Sequence, residues 1–83
     1  MINSRINTIV SSILKDARIG KGLAKKELAS RCGLTYSQLK AIEDDDNQIN
    51  LYKLFNICDV LEISPSKVLD EAMDLYLLGE KDE

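Results

Sequence analysis

Residues 15–40 carry Lys15, Arg18, Lys21, Lys25, Lys26, Arg31 and Lys40 against only Asp16 and Glu27, a local balance of +5. Residues 43–83 set three lysines against twelve acids, a balance of −9, and this half opens with Asp44, Asp45 and Asp46 in a row. With Arg5 the total is −3, a mean that hides the division. The local field, not the total, decides what sits against one face, so the basic half suits a polyanion. Other chemistries drop out. The chain has no histidine, and Cys32 and Cys58 form no CxxC, which removes Cys/His zinc sites and histidine-based catalysis. Taken as a calcium loop, the aspartate run would start at Asp44 and put Ile49 where a glycine is required. A chain this short offers little from which to build a pocket around paired carboxylates, so no enzyme, metal or cofactor is expected.

Elements must position the basic side chains, and composition says which kind. Of 83 residues, 45% are hydrophobic and 30% charged, with one proline and no tryptophan, the balance of one small helical domain. A core of this size gives marginal stability, which makes pairing with a second copy a reasonable expectation. No segment approaches the roughly 18 apolar residues that span a bilayer, and no signal-peptide pattern opens the chain, so no membrane partner and a cytoplasmic location are expected. The two cysteines lie among apolar residues at helical spacing, as small buried core residues do.

The periodicity predicts an all-α fold of five helices. Ile6, Ile9, Val10, Ile13, Leu14 and Ala17 form the stripe of a first helix, with Asn3 or Ser4 as its cap and Gly20 and Gly22 at its end. Leu28, Ala29 and Cys32 mark a short second helix that stops at Gly33. Thr35 and Gln38 form the T-x-x-Q of a capping box and open a third helix, whose buried side is Leu39 and Ile42. Asn50 caps a fourth, with apolar positions Leu51, Leu54, Phe55, Ile57, Cys58 and Leu61. Ser64 and Pro65 announce a fifth, running through Val68, Leu69, Ala72, Met73, Tyr76 and Leu77 to Gly79. Residues 1–79 read as one domain and residues 80–83 as a frayed acidic tail.

The second and third helices, joined through Gly33, have helix-turn-helix spacing: alanine at 29 where helices cross closely and apolar residues at 28, 34, 39 and 42. From residue 14 to 69 the chain resembles the Cro/repressor-type (Xre) helix-turn-helix family of transcription regulators. GLAKKELASRCGLTYSQLKAIE is similar to that family's G-L-S-Q-x-x-L-A-x-x-x-G-V-S-x-x-x-I-x-x-I-E, and LEISPSKVL to its L-G-V-S-x-x-x-L. Its size and short C-terminal helix are similar to those of restriction-modification controller proteins and the smallest phage repressors.

The resemblance implies a lambda-repressor-like fold that sets a recognition helix, residues 35–44, into the major groove of double-stranded operator or promoter DNA. Base reading then falls to Tyr36 and Ser37, with Thr35, Lys40 and Ala41 beside them, while Lys25, Lys26 and Gln38 suit phosphates. Thr35 and Lys40 are also placed to touch the backbone. The resemblance further implies an ion pair between Arg18 and Glu43 that locks the recognition helix to the first. Two stretches depart from the family pattern. Ala24 and Lys25 stand where a capping serine or threonine and a glutamine are usual, and Asp44, Asp45 and Asp46 where Asn-Gly-basic is common. The aspartates are expected either to repel phosphate, raising specificity as total affinity falls, or to point away as a protein contact or a solvated loop.

The fifth helix carries more apolar residues than one face holds. Leu69, Met73, Tyr76 and Leu77 are therefore expected, with the fourth helix, to form a two-fold homodimer interface. A rival reading keeps the fold as a protein-interaction module, an antitoxin or anti-regulator whose acidic half binds a partner; RNA polymerase is the partner that half would meet in a regulator.

Overall fold

The computed structural model describes residues 1–44 and 49–81, excepting the side chains of residues 80 and 81. They form five helices: α1 (Arg5–Gly20), α2 (Lys25–Cys32), α3 (Tyr36–Glu43), α4 (Leu51–Leu61) and α5 (Pro65–Lys81). None of them is long and apolar enough to cross a membrane.

Local chemistry sets most helix starts. At α3 the Gln38 N–H donates to Thr35 Oγ1 at 3.0 Å and the Thr35 N–H to Gln38 Oε1 at 2.9 Å, so two otherwise orphaned donors are satisfied reciprocally. At α4 the Lys53 N–H donates to Asn50 Oδ1 at 2.8 Å. Before α1, Ser4 holds the cap position without a side-chain bond, and Asn3 Oδ1 accepts from the Arg5 N–H at 2.9 Å instead. Helix α2 follows Ala24 with no side-chain cap.

Three helix ends share one device. The N–H groups of Leu23, Leu34 and Ile63 reach back five residues to the carbonyls of Arg18, Ala29 and Cys58. The residue before each, Gly22, Gly33 and Glu62, has a left-handed backbone with φ of 72°, 70° and 58°. Each returning residue is apolar and packs on the core, as this type of ending favours. Glu62 stands where the family's L-G-V-S pattern carries glycine, and its Cβ is strained at this φ by about 1–2 kcal/mol.

The core lies where α1 crosses α3, α4 and α5 while α2 packs on α3 and α4. Leu14, Leu28, Leu39, Ile42, Ile57 and Leu61 are all at most 2% exposed. Burial of each contributes roughly 1.5–3 kcal/mol. Ala29, 2% exposed, carries only a methyl group, too small to hold α2 away from its neighbours. Cys32 and Cys58 are buried free thiols.

Of the apolar positions of α4, Leu51 and Phe55 are 69% and 54% exposed. At about 100° per residue, Leu54, Ile57, Cys58 and Leu61 fill one arc, and Leu51 and Phe55 continue it past the edge that other helices cover. One expectation needs correction: α5 does not stop at Gly79 but continues to Lys81. A Cβ on Gly79 would lie 2.8 Å from Arg5 Nη1, so this glycine leaves room for a side chain from α1 and does not end a helix. Arg5 Nη2 donates to the Tyr76 carbonyl at 2.9 Å, and its guanidinium carbon lies 4.3 Å from the centre of the Tyr76 ring.

Candidate nucleic-acid interface

Helix α3 is divided into two faces. Leu39 and Ile42 are 1% exposed and Glu43 is buried, whereas Thr35, Tyr36, Ser37, Gln38 and Lys40 are exposed. Ala41, expected on the exposed side, is half-buried at the border. The exposed face begins at the first turn, because Gly33 reverses the chain and Thr35, with φ −77° and ψ 159°, holds an extended step before the helix starts. Tyr36 is 50% exposed, with its phenol available to a partner.

The opposite face is fixed by charge. Arg18 Nε donates to Glu43 Oε2 at 2.7 Å and Nη2 to Oε1 at 3.1 Å, both groups being buried. Sequence reasoning paired these two residues but missed a third contact, from Arg18 Nη1 to the Leu23 carbonyl at 2.6 Å. One guanidinium therefore ties the end of α1 to the end of α3 and to the segment that leads into α2. Its placement orients both helices of the motif against one support.

The basic side chains divide as well. Lys26 is exposed and Lys25 half-buried in the first turn of α2. Arg31 is paired along its own helix with Glu27 at 2.7 Å. That pair neutralises Arg31 locally, a cancellation the balance of +5 already contains; its i, i+4 spacing was the available signal. Asp44 is the exposed C-terminal cap of α3, its N–H donating to the Lys40 carbonyl at 2.9 Å. Asp45 and Asp46 lie outside the described residues.

Of the residues expected at a dimer interface, Leu69, Met73 and Leu77 are 43%, 39% and 47% exposed, on one flank of α5. Tyr76 is different: at 2% exposure it is a core residue, and its hydroxyl accepts from the Asn3 N–H at 3.2 Å. The period of the helix explains this, since Tyr76 continues the buried line of Val68 and Ala72 at four-residue steps. Leu51, Tyr52 and Phe55 are exposed on α4, the helix expected to share that interface. Ile6, Val10, Ile49, Leu51 and Leu69 line a groove of about 270 Å³ that makes the α4 and α5 surfaces continuous.

Among the described residues no group of histidine, cysteine and acidic side chains could hold a metal ion. Burial pushes the Cys58 thiol above its ordinary range; burial, and secondarily the negative charge of Asp59, does the same at Cys32. Neither thiol is primed for nucleophilic chemistry.

A short helix with its first turn outward, lysines beside it and a buried ion pair behind it defines a DNA-binding transcription regulator of the helix-turn-helix class. The chain belongs to the helix-turn-helix family (HTH_3), whose model matches residues 14–68. The Clp gene regulator ClgR from Corynebacterium glutamicum shares the fold, with a TM-score of 0.82 at 23% identity over 93% of this chain and 82% of that one. So does a point mutant of the restriction-modification controller protein C.Esp1396I, with a TM-score of 0.79 at 24% identity over 92% of this chain and 96% of that one. A comparison with curated proteins finds no match. At these identities the likeness to both structures is one of fold.

Proposed function

We propose that this chain binds operator DNA as a homodimer, with α3 of each copy in successive major grooves about 34 Å apart. The observation that carries the reading is the division of α3: Leu39, Ile42 and Glu43 anchored on the core, and Thr35, Tyr36, Ser37, Gln38 and Lys40 outward. In this reading Tyr36 and Ser37 meet base edges, and Lys25, Lys26 and Lys40 draw in phosphate. The dimer is supported by the apolar surface that runs from Leu51 and Phe55 on α4 to Leu69, Met73 and Leu77 on α5. Two copies related by a two-fold axis cover one such patch with the other.

Selection of bound sites from random DNA at physiological salt tests the reading, together with sedimentation of the free protein. The expected results are an enriched palindrome and a dimer at tens of micromolar. A monomer at that concentration overturns the interface, and no enriched sequence overturns the operator.

A second reading, a protein-binding module, is favoured by a cleft of about 530 Å³ between α1 and the start of α5. Ile13, Ala17, Ile63 and Val68 form its apolar lining, and Asp16, Glu62 and Glu71 outnumber Lys67 around it. Such a cleft suits a basic amphipathic segment of a partner, polymerase included. Stable co-purification with a neighbouring gene's product, without salt-dependent DNA binding, would favour this reading over the operator.

A further inference from the structure

Gln38 stands on the exposed face of α3, where a glutamine would ordinarily pair with adenine through both ends of its amide, the oxygen accepting from N6 and the nitrogen donating to N7. Here one end is already engaged. Gln38 Oε1 accepts the Thr35 N–H at 2.9 Å, and Thr35 Oγ1 accepts the Gln38 N–H at 3.0 Å. The amide is thus held in one orientation by the first turn of its own helix. From this geometry we infer that Gln38 meets DNA as a donor, through Nε2, and that it discriminates against two-bond reading of adenine.

This inference rests on the operator reading above and deepens it. To pair with adenine, Gln38 would have to leave the cap and give up the bond that satisfies the Thr35 N–H, or share Oε1 between that N–H and adenine N6 in the one amide orientation the cap allows. Within the cap, the Nε2 hydrogens match acceptors alone: a phosphate oxygen, guanine O6 or N7, or thymine O4. The Thr35 hydroxyl is biased the same way, because one of its oxygen lone pairs is taken by the Gln38 N–H while its own hydrogen remains to be donated. The turn beside Tyr36 and Ser37 therefore offers donors to the DNA. The capping box sets that polarity before DNA arrives, so no side-chain ordering is needed on contact.

Two substitutions separate the cap from the contact. Gln38→Glu keeps an oxygen for the Thr35 N–H, since glutamate serves this position equally well, but removes the donor. Gln38→Ala removes both without adding charge. Thermal melting and site selection from random DNA are to be run on the full chain and both variants. Gln38→Glu is expected to melt within about 2 °C of the parent and to lose about tenfold or more in operator affinity. Gln38→Ala tells apart the sources of the acceptor. A uniform loss on all sequences assigns the donor to phosphate, and relaxed preference at one guanine or thymine assigns it to a base. Preference for adenine in the parent that vanishes in Gln38→Ala overturns the inference, and so does Gln38→Ala binding the same sites with unchanged affinity. If the parent itself enriches no sequence, the operator reading falls and takes this inference with it.

Discussion

The guanidinium of Arg18 meets both carboxylate oxygens of Glu43, 25 residues further on, at 2.7 and 3.1 Å, and holds the Leu23 carbonyl with its remaining nitrogen at 2.6 Å. Each residue is only 7% exposed. Removing one partner strands the other charge away from water, which costs more than the roughly 0–1 kcal/mol of a surface pair. Arg18→Met is expected to destabilise the chain by about 3 kcal/mol in urea unfolding. Arg18→Met combined with Glu43→Met should recover most of that loss, because two apolar side chains leave no stranded charge. A loss below about 1 kcal/mol for the single change, no more than a surface pair gives, would show that the pair does not hold α3.

Tyr36 and Lys26 should fail differently. Tyr36, half exposed on the first turn of α3, is positioned for a base edge, and Lys26, exposed on α2, for a phosphate. Tyr36→Ala is expected to cost about 1–3 kcal/mol at particular base pairs and relax preference there. Lys26→Ala should weaken all sequences alike and reduce the dependence of log affinity on log salt by about one. Titrations of operator and random DNA over a salt series check both; identical patterns for the two variants would contradict the assignment.

Glu62 is strained where glycine would not be, with φ of 58° at the end of α4. Glu62→Gly relieves about 1–2 kcal/mol of steric cost and adds about 0.5–1 kcal/mol of unfolded-state entropy. A net gain of about 0.5–1 kcal/mol is expected, or a few degrees in melting temperature. An unchanged or lowered melting temperature would mean that the Glu62 side chain makes up for its backbone.

The thiols give the chain an alkaline limit. Burial raises both Cys32 and Cys58 above the ordinary thiol value, so the unfolded chain loses these protons at lower pH than the folded one. The stability they contribute is complete below about pH 8.5 and is lost as pH rises from there through the raised folded values. Urea unfolding midpoints should fall across that window, and replacement of both cysteines by alanine should flatten the fall. A thiol reagent at neutral pH should react at the rate of opening.

Local features were legible in the residues alone. The Thr35–Gln38 box, the Asn50 cap, Pro65 at the start of α5 and the left-handed Gly33 each depend on atoms within a few residues, so spacing is enough to state them. The helix-turn-helix follows from the same short-range rules, since α2, its turn and α3 occupy one continuous stretch.

Placement across the fold was decided elsewhere. A period of about 3.6 residues says which side chains share a line, but the width of the buried arc depends on which helices cover it. That is why Phe55 emerges on the surface and Tyr76, expected there, closes the core over Asn3 and Arg5. It is also why Gly79 is a gap for Arg5 within α5. The sequence by itself determined the five helices, the Thr35 and Asn50 caps and the charge division between the two halves, all of which are properties of neighbours along the chain. Only the tertiary structure decided which apolar side chains remain uncovered, that Tyr76 closes the core, and that Gly79 makes room for Arg5. Those depend on distances between residues far apart in the chain, which close only when the helices pack.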